Sequence, residues 1–596
     1  MRRRPSGLRR SDLGRDDGER LGSSGPGRDG HAESVHPEHV VILFTLALLT
    51  MAGASALSGP IRIAAPLLLV VFGGLVGFVP GVPEFEIDPE WILIGVLPPL
   101  LFSAAASMPT MSFRRELRSI TGLSVVLVVL SALLLGWFFS VTLNISLAWG
   151  IALGAIVSPT DAVATAIARR VGVPNRVLTM LEGESLLNDA SALVLLRSAV
   201  AAAAGGVALG GVVLDFLWAV TGAALIGFGV GWLHLWLRSK LSDPATSTII
   251  SYAAPFLAAV PAEQLGASGL VAAVVAGLVS GFGAPRVLTP RARLSDSQNW
   301  KTVELVLEGG IFLLMGLQLH GLITHAGHAE GTLLTVSWVA AAGWLGSVLI
   351  RAVYVASLVW QMSRRTQRRQ GRQERIDQWQ GYLEQRLANP EEPPEPPAPP
   401  RQRRGPSPAR KANPRLWSTD RLSMLLTRLR RERATIDYLV SNPIGSREGG
   451  LLVWAGMRGA VSLAAAQTLP SDTPGRPVLL LVAFALAGGS LLLQGATLPL
   501  VVRRLSRPVT DEDRQTDADE RERVLDLLRQ TAERERTRVS DRPLKRVELD
   551  VLAAQRAALL DARDDGVFDA EVLSHALAVV DAAQIGLELR GAPDEE

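Results

Sequence analysis

Two short stretches place carboxylates inside otherwise apolar sequence. Glu184 and Asp189 lie within residues 181–194 (LEGESLLNDASALV), and Asp161 ends the segment 158–161 (SPTD) a little upstream. A carboxylate inside an apolar membrane helix is expensive to ionise, and such residues usually mark an ion or proton pathway. The two stretches together therefore predict a cation site at mid-membrane depth.

The spacing within residues 181–194 gathers four polar side chains on one part of a helix. Ser185 and Asp189 are four residues apart, as are Glu184 and Asn188, so each pair lies one turn apart on the helix surface. Carboxylate, hydroxyl and amide oxygens suit a small hard cation. A buried carboxylate that holds either a proton or a metal ion is also the simplest basis for exchanging one for the other.

Residues 158–161 also predict a break in their helix. Pro159 lacks a backbone N–H and disturbs the preceding turn, which frees carbonyl groups near Ser158 and Thr160. Interrupted helices are tolerated at membrane depth where they line a cavity, and their free carbonyls can bind cations. A second break is predicted at residues 455–460 (AGMRGA), in the equivalent span of a second six-span half, which indicates an inverted repeat.

The other charges in the apolar sequence are predicted to be structural. Arg458, inside the second break, needs a carboxylate partner because an unpaired buried guanidinium is strongly unfavourable, and Glu184 is the expected partner. Asp161 has two interpretations: it binds the cation, or it accepts hydrogen bonds from free amides at the break. Glu182 is expected nearer the cytoplasmic mouth. Packing or interface roles are expected for Glu263, Glu304, Glu308, Arg197 and Arg351.

Composition argues against several classes of function. The chain has 596 residues, 48% of them hydrophobic, and a mean hydropathy of +0.25. It has no cysteine, its eight histidines show no metal-ligand spacing, and no phosphate-binding loop of the Walker type occurs. We therefore expect neither an enzyme nor an ATP-driven transporter, and we expect no cofactor and no nucleic-acid partner.

The apolar residues occur in blocks long enough to cross ~30 Å of hydrocarbon. They predict an all-α polytopic membrane protein of about thirteen spans, arranged as two inverted six-helix repeats with broken crossing helices and followed by a helical cytosolic tail. The predicted spans are residues 40–57, 62–79, 91–107, 120–142, 146–168, 177–204, 209–236, 245–262, 266–283, 300–323, 332–360, 449–469 and 477–502.

Five regions follow from this pattern. They are a disordered N-terminal tail (1–38), the first part of the membrane domain (39–361), a polar Pro/Arg-rich cytoplasmic insertion (362–447), the second part of the membrane domain (448–505) and a helical cytoplasmic tail (506–596). The insertion contains a Pro/Glu-rich segment at 390–397 that is predicted to be extended. The insertion is interpreted as a solvated linker, with binding of anionic lipid headgroups as the alternative.

Basic residues mark one side of the predicted membrane domain. They occur in the connections at 114–118, 169–170, 238–240, 286–293, 364–365 and 503–504, whereas those at 80–90 and 324–331 carry almost none. By the positive-inside rule the basic side is cytoplasmic. The predicted location is the plasma membrane, with the N-terminus outside and the C-terminal tail inside.

Six motifs occur in a recognisable order. They are LPPLLF (97–102), SPTDAVA (158–164), GESLLNDA (183–190), AE (262–263) followed by SG (268–269), Glu308 before IF (311–312) and Gly316, and GMRGAV (456–461). With these motifs, residues 40–505 resemble the monovalent cation:proton antiporter-1 family, the sodium/proton exchangers. The resemblance implies a core domain that carries the ion and moves like an elevator against a dimer-forming scaffold, so that a homodimer is expected.

The resemblance also implies roles for individual residues. Asp189 is expected to carry the ion and the proton, with Asn188 marking the electroneutral branch of the family. Ser185 and the Thr160 main chain are expected to bind Na⁺ beside Asp189. Glu184 and Arg458 are expected to form a structural ion pair.

Ser103 departs from the pattern of the family. Many relatives carry Asp or Glu directly after the stretch that resembles LPPLLF, whereas this chain has a serine. One anionic contribution to the site is therefore missing from this position, and the choice of Na⁺ over K⁺ does not follow from the resemblance.

The expected function is one-for-one, electroneutral exchange of Na⁺ for H⁺, serving pH and sodium homeostasis. A K⁺/H⁺ antiporter of the same fold, also open to Li⁺, is the nearer alternative. A non-transporting membrane sensor or scaffold is the more distant one, and the paired helix breaks argue against it because a sensor needs no ion site.

Overall fold

The computed structural model describes residues 37–61, 63–80, 90–161, 163–205, 209–241, 243–326, 332–388, 419–441, 443–505, 511–539, 542–566 and 568–590. Within these ranges all regular secondary structure is helical and no strand occurs, as the sequence predicts. The predicted extended segment at 390–397 and most of the predicted N-terminal tail lie outside the described residues.

Twenty α-helices follow one another in the described part of the chain. They are α1 (Pro37–Ile61), α2 (Ala65–Gly77), α3 (Leu97–Ser107), α4 (Thr110–Thr121), α5 (Leu127–Leu143), α6 (Leu147–Val157), α7 (Val163–Val171), α8 (Asn175–Ala203), α9 (Leu209–Arg238), α10 (Pro244–Gln264), α11 (Gly269–Val287), α12 (Pro290–Ala326), α13 (Thr332–Ala388), α14 (Thr419–Ser441), α15 (Ser446–Trp454), α16 (Ala460–Gln467), α17 (Arg476–Leu505), α18 (Asp511–Arg538), α19 (Leu544–Asp565) and α20 (Ala570–Leu589). Two π-helical segments, Trp91–Val96 and Gly122–Val126, lead into α3 and α5.

The chain divides into two compact units, residues 1–46 and 47–596. The described part of the first unit is the beginning of α1, where the Thr45 hydroxyl donates to the carbonyl oxygen of Val41 at 2.7 Å. The architecture and the site below belong to the second unit.

Ten helices in the described ranges are long and apolar enough, by length and composition, to cross a membrane. They include α1, α8 to α13, α17 and the continuous α4–α5 segment, and shorter apolar helices occur at Ala65–Gly77, Trp91–Ser107 and Leu147–Val157. α20 also meets the criterion, but its Asp581 and Glu588 form ion pairs with Arg293 and Arg291. Each predicted span coincides with a helix or with an interrupted pair of helices, which supports a multi-pass membrane protein.

The membrane helices pack as two groups. We call α4 to α8, α13 and α15 to α17 the site group, and α2, α3 and α9 to α12 the flanking group. Helices pack more extensively within each group than between them. Small residues allow the closest approaches, since a side chain at Gly154 would collide with the carbonyl oxygen of Ala132, and one at Gly316 with that of Val70.

The insertion between the two parts of the membrane domain begins as a helix. α13 continues without interruption past residue 361, the predicted end of the membrane domain, to Ala388. α14 packs against it through Leu422 and Leu426, which contact Tyr382 and Leu383. The described ends of the insertion are therefore an antiparallel helix pair, because long amphipathic stretches that can bury an apolar face favour packing over exposure.

Tyr438 of α14 contacts two arginines of the site group. The guanidinium of Arg115 lies 4.8 Å from the centre of its ring, and that of Arg176 lies 5.8 Å away. Burial, followed by the nearby carboxylate of Glu116, raises the pKa of Tyr438 to about 12. The phenol therefore stays neutral, and the ring faces two cations in the geometry of a cation–π contact.

The three helices α18, α19 and α20 form a small bundle, which we call the C-terminal module. Val524, Leu559, Leu573 and Val580 make up its apolar core. A glycine at positive φ, Gly566, ends α19 and starts the turn into α20. The helical tail predicted for residues 506–596 thus has a packed core of its own.

Candidate ion site at two interrupted helices

Two interrupted helices meet at the centre of the site group. The first ends at Val157 and resumes with α7, and the second ends at Trp454 and resumes with α16. Both breaks lie where the sequence predicts them. The backbone N–H of Asp161 in the first donates to the carbonyl oxygen of Met457 in the second at 2.8 Å. The two breaks are therefore in direct contact.

Arg458 places its positive charge where two helices end. Its Nε donates to the carbonyl oxygen of Val157 at 3.0 Å, and its Nη1 donates to that of Gly456. Its backbone N–H donates to the Ser490 hydroxyl at 2.7 Å, and the side chain is buried. The carbonyls at a helix C-terminus carry partial negative charge, so a buried cation is stabilised there.

Asp161 places its negative charge where α7 and α16 begin. Its Oδ1 accepts a hydrogen bond of 3.3 Å from the backbone N–H of Val163, the first residue of α7. Its Oδ2 fills the space beside Gly459, the residue just before α16. A carboxylate at two helix N-termini is stabilised by free N–H groups. This geometry favours the interpretation of Asp161 as an acceptor for amides at the break.

The predicted partner of Glu184 is wrong. Glu184 pairs with Arg351 of α13, not with Arg458: Nη2 donates to Oε2 at 2.7 Å and Nη1 donates to Oε1. Both side chains are only 2% exposed, and Arg351 Nε also donates to the carbonyl oxygen of Leu452 at 2.8 Å. Arg458 is satisfied by helix-end carbonyls instead. Arg351, which the sequence suggests as a packing charge, supplies the positive charge that pairs with Glu184.

Asn188 and Thr160 join α8 to the first break. The Asn188 amide donates to the Thr160 carbonyl oxygen at 3.2 Å and to its hydroxyl oxygen at 2.8 Å. The Thr160 hydroxyl in turn donates to Glu184 Oε1 at 3.1 Å. These bonds orient the polar atoms of residues 158–161 toward α8, and they continue into the Glu184–Arg351 pair.

Asp189 lies next to this network without joining it. The side chain is 6% exposed, and none of the described residues donates a hydrogen bond to its carboxylate. It is close enough to Asp161 for the two charges to interact. One turn earlier, Ser185 is also buried and donates to the carbonyl oxygen of Glu182 at 3.1 Å. A buried carboxylate with no protein donor is suited to hold a proton or a cation.

Ser103 lies beside a carboxylate from another helix. Its hydroxyl donates to Glu304 Oε1 at 2.6 Å, across α3 and α12. Glu308, one turn along α12, interacts electrostatically with both Glu304 and Asp161. The structure therefore brings two acids, which the sequence suggests as packing charges, to the side of the site that faces the flanking group. Their four-residue spacing inside an apolar span is the sequence signal that points to them.

Two further ion pairs involve α8 and are partly exposed. Glu182 pairs with Arg169, whose side chain is 68% exposed. Arg197 pairs with Glu263 of α10 at 2.7 Å, and Glu263 also accepts from the backbone N–H of Gly269. Both pairs are partly exposed, and the mouth position expected for Glu182 and the packing or interface roles expected for Arg197 and Glu263 stay predictions.

The fold and the site together define a class of protein. A multi-pass helical protein in which two interrupted helices meet beside a buried carboxylate has the architecture of a secondary ion transporter. The chain belongs to the sodium/hydrogen exchanger family: residues 44–372 match the sequence model described as "Sodium/hydrogen exchanger, transmembrane".

Three similar proteins illustrate the membership. The uncharacterized Na⁺/H⁺ exchanger YjcE of Escherichia coli is 36% identical over 47% of this chain and about half (54%) of that protein. An uncharacterized Na⁺/H⁺ exchanger of Mycobacterium tuberculosis is 26% identical over 92% of this chain and 96% of that protein. The sodium, potassium, lithium and rubidium/H⁺ antiporter of Bacillus subtilis is 30% identical over 48% of this chain and 44% of that protein.

A solved structure shares the fold. The sodium proton antiporter MjNhaP1 of Methanocaldococcus jannaschii superposes with a TM-score of 0.55 at 15% identity, covering 78% of this chain and 99% of that one. The antiporter fold extends over most of the described helices.

Proposed function

We propose that this protein is a secondary antiporter that exchanges Na⁺ for H⁺ through the carboxylate of Asp189. One observation carries the proposal: Asp189 is buried beside two interrupted helices, and no described side chain or amide donates to it. Membership of the sodium/hydrogen exchanger family supports the same conclusion.

The exchange follows from the competition of two cations for one carboxylate. With the site open to the outside, Asp189 takes up a proton, the site group shifts, and the proton leaves into the cytoplasm. A cytoplasmic Na⁺ then binds at the same oxygens and is carried out. Because both loaded forms of the carboxylate are neutral, exchange is one-for-one and insensitive to membrane voltage.

Neighbouring oxygens would complete the Na⁺ site. We assign Na⁺ binding to the Asp189 carboxylate, the Ser185 hydroxyl and the Thr160 carbonyl, whose second lone pair is not needed for the bond from Asn188. Asn188 and Asp161 contribute indirectly, since Asn188 orients Thr160 and Asp161 is bonded to the start of α7. The Na⁺ is substrate here, bound and released in each cycle.

The orientation in the cell membrane follows the distribution of charge. Arg115 and Arg286 both lie at the end of the membrane helices where the C-terminal module is attached. We assign that end to the cytoplasm by the positive-inside rule and the N-terminus to the outside. The site group and flanking group would then be the two bodies that move against each other, as in other transporters with interrupted helices.

Potassium is the second candidate substrate. The Bacillus subtilis relative is named as an antiporter of sodium, potassium, lithium and rubidium, and Ser103 supplies no charge of its own. Oxygen ligands bind all of these ions, and size and field strength alone separate them.

Vesicles reconstituted with the purified protein test the proposal. An outward gradient of Na⁺, K⁺ or Li⁺ is imposed in separate samples, and a trapped pH dye reports proton movement. We expect a signal with Na⁺, none with the Asp189→Asn variant, and none when a membrane potential is imposed alone. A larger signal with K⁺ would favour the second candidate, and no counter-transport with any cation would refute the antiporter.

A further inference from the structure

One end of the membrane helices faces away from the C-terminal module. The module contacts Asn175 at the start of α8 and Arg286 near the end of α11. Arg197 lies about 33 Å along α8 from Asn175, at ~1.5 Å per residue. Gly269 begins α11, so it also lies at the end opposite to the module. In the orientation assigned above, this end faces the outside of the cell.

An ion pair joins the site group to the flanking group at this outer end. Arg197 Nη1, on α8, donates to Glu263 Oε2, near the end of α10, at 2.7 Å. A second bond holds the carboxylate in the flanking group, because Glu263 Oε1 accepts from the backbone N–H of Gly269 at 3.0 Å. The guanidinium therefore reaches a fixed acceptor from the helix that carries Asp189.

Apolar side chains of both groups lie between Asp189 and the ion pair. Leu193, one turn beyond Asp189 on α8, is buried, and so is Leu270 of α11. These two leucines line a cavity together with Pro98 of α3, and both members of the ion pair line the same cavity. On the outer side of the site, the two groups are thus in apolar contact, and the ion pair lies beyond that contact.

A second polar contact joins the two groups at the same end. The Gln467 amide, at the end of α16, donates to Gln318 Oε1 of α12. Gln318 lies about 40 Å along α12 from Arg291, which pairs with the C-terminal module, at ~1.5 Å per residue. A hydrogen bond is lost when donor and acceptor separate beyond about 3.5 Å. A shift of the site group by a few ångströms against the flanking group would therefore break both contacts.

We propose that the Arg197–Glu263 pair is an outer latch. It holds the protein in the conformation whose ion site is closed to the outside, and it must open before Asp189 can load from that side. The inference rests on the proposed function, because only a transporter whose two groups move has two conformations between which a latch can choose. The bond between Gln467 and Gln318 supports the same conformation.

The exposure of the pair suits a contact that is made and broken in every cycle. Arg197 is 60% exposed and Glu263 is 29% exposed. Partly exposed ion pairs are individually weak, so the latch shifts the ratio of the two conformations by up to about fivefold and locks neither of them. The apparent affinity on each face follows the fraction of protein open to that face. The ratio of the cytoplasmic KM to the outer KM for Na⁺ therefore reports the latch.

Transport measured separately on the two faces tests the latch. Arg197→Gln and Glu263→Gln each remove the ion pair, and a glutamine at position 263 still accepts from the Gly269 N–H. In vesicles that carry the protein in one orientation, we expect each variant to raise the ratio of the cytoplasmic KM to the outer KM about two- to fivefold. The double variant should raise it no further. An unchanged ratio, or a shift in the opposite direction, would overturn the latch.

Arg542→Gln is the matched control for these variants. Arg542 pairs with Asp550 at 2.6 Å, and the two side chains are 56% and 35% exposed. This pair therefore resembles the latch in exposure, but it lies within the C-terminal module and joins neither group of membrane helices. We expect the control to keep the wild-type ratio of the two KM values.

Cross-linking holds the latch closed, and the chain has no cysteine of its own to interfere. Arg197→Cys with Glu263→Cys is joined by a short cleavable bismaleimide. The matched control is Trp218→Cys with Leu265→Cys, because the Trp218 indole donates to the Leu265 carbonyl oxygen at 3.0 Å within the flanking group. We expect the latch tether to stop exchange until the linker is cleaved, and the control tether to leave exchange unchanged.

The outcomes separate this inference from the proposed function. Full exchange by the protein with the latch tether would overturn the latch and leave the antiporter intact. Absence of exchange in the wild type, the glutamine variants and the cleaved samples alike would refute the antiporter itself.

Discussion

Arg351 of α13 holds Glu184 of α8 in a buried ion pair with two parallel contacts, five residues before Asp189 on the same helix. The pair joins three elements of the site group, because Arg351 also donates to the carbonyl oxygen of Leu452 in α15. Glu184 meanwhile accepts from Thr160 at the first break. The Arg351 guanidinium thus helps to hold α8 beside both breaks, together with the bonds between Asn188 and Thr160.

Removal of one member of this pair is expected to destabilise the protein by about 3–5 kcal/mol, because the other is left as an unpaired buried charge. Glu184→Gln and Arg351→Met should each show this loss, and the double variant should recover most of it. Thermal unfolding in detergent measures the effect. Arg197→Gln is the control, since its partly exposed pair is worth about 0–1 kcal/mol. Equal effects at both sites would contradict the buried-pair assignment.

The error over the partner of Glu184 shows what sequence patterns can and cannot supply. Apolar blocks and Pro159 are local signals, so they correctly predict an all-helical multi-pass protein and the first break. A pairing between helices far apart in the chain has no such signal. The sequence predicts a carboxylate partner for Arg458, since it does not show how α6 and α15 approach each other. In the structure the carbonyls at the ends of these two helices compensate the charge instead.

Asp189→Asn is expected to fold and to exchange nothing. The amide is nearly the same size as the carboxylate, but it can neither take up a proton at neutral pH nor balance the charge of a cation. Dye-reported exchange in vesicles measures the loss, and the melting temperature should stay within a few degrees of the wild type. Ser191→Ala, a buried hydroxyl two residues away that bonds only within its own helix, is the control and should keep its activity. Normal exchange by Asp189→Asn would remove the central claim.

Apparent affinity for Na⁺ is expected to depend on pH in one direction. Protons and Na⁺ compete for the same oxygens, so acidification on the Na⁺ side occupies Asp189 with protons and raises the KM for Na⁺. Where the site is mostly protonated, each unit of pH should change KM by up to about tenfold while the maximal rate changes little. A KM that stays constant from pH 6 to pH 9 would show that the two cations bind at different places.

Glu304 is expected to supply the negative charge that Ser103 lacks. The two side chains are 2.6 Å apart, so a carboxylate on either helix would lie in nearly the same place. Glu304→Gln should raise the KM for Na⁺ severalfold, and the exchanged pair Ser103→Glu with Glu304→Ser should restore it. KM for Na⁺ and for K⁺, measured on the same vesicles, distinguishes the variants.

Two further variants make the Ser103 test specific. Ser103→Ala removes only the hydrogen bond, so it should cost about 1.5–3 kcal/mol of stability at most and change KM less than Glu304→Gln does. Ser103→Glu alone places two carboxylates side by side and should alter apparent cation affinity. If Glu304→Gln left KM unchanged, Glu304 would be a packing charge, as its sequence context suggests.

The architecture around the C-terminal module was the least predictable part of the fold. The helical periodicity of residues 506–596 predicts helices there, but a surface arginine such as Arg286 gives no indication of its partner. Contacts of the kind that joins Arg286 to Asp564 span most of the chain. They depend on the final arrangement of the membrane helices, which periodicity alone does not determine.

Gly459→Ala is expected to disable the site from the second break. A methyl group at this position would lie 1.3 Å from Asp161 Oδ2, so the carboxylate must leave the N-terminal ends of α7 and α16. We expect a loss of about 1–3 kcal/mol in stability and a strong reduction of exchange, measured by detergent unfolding and by vesicle assay. Gly489→Ala in α17, where no atom lies within 4 Å of the added methyl group, should leave both unchanged or slightly improve stability. Exchange at the wild-type rate by Gly459→Ala would contradict this prediction. It would show that transport does not need the Asp161 carboxylate at the N-terminal ends of α7 and α16.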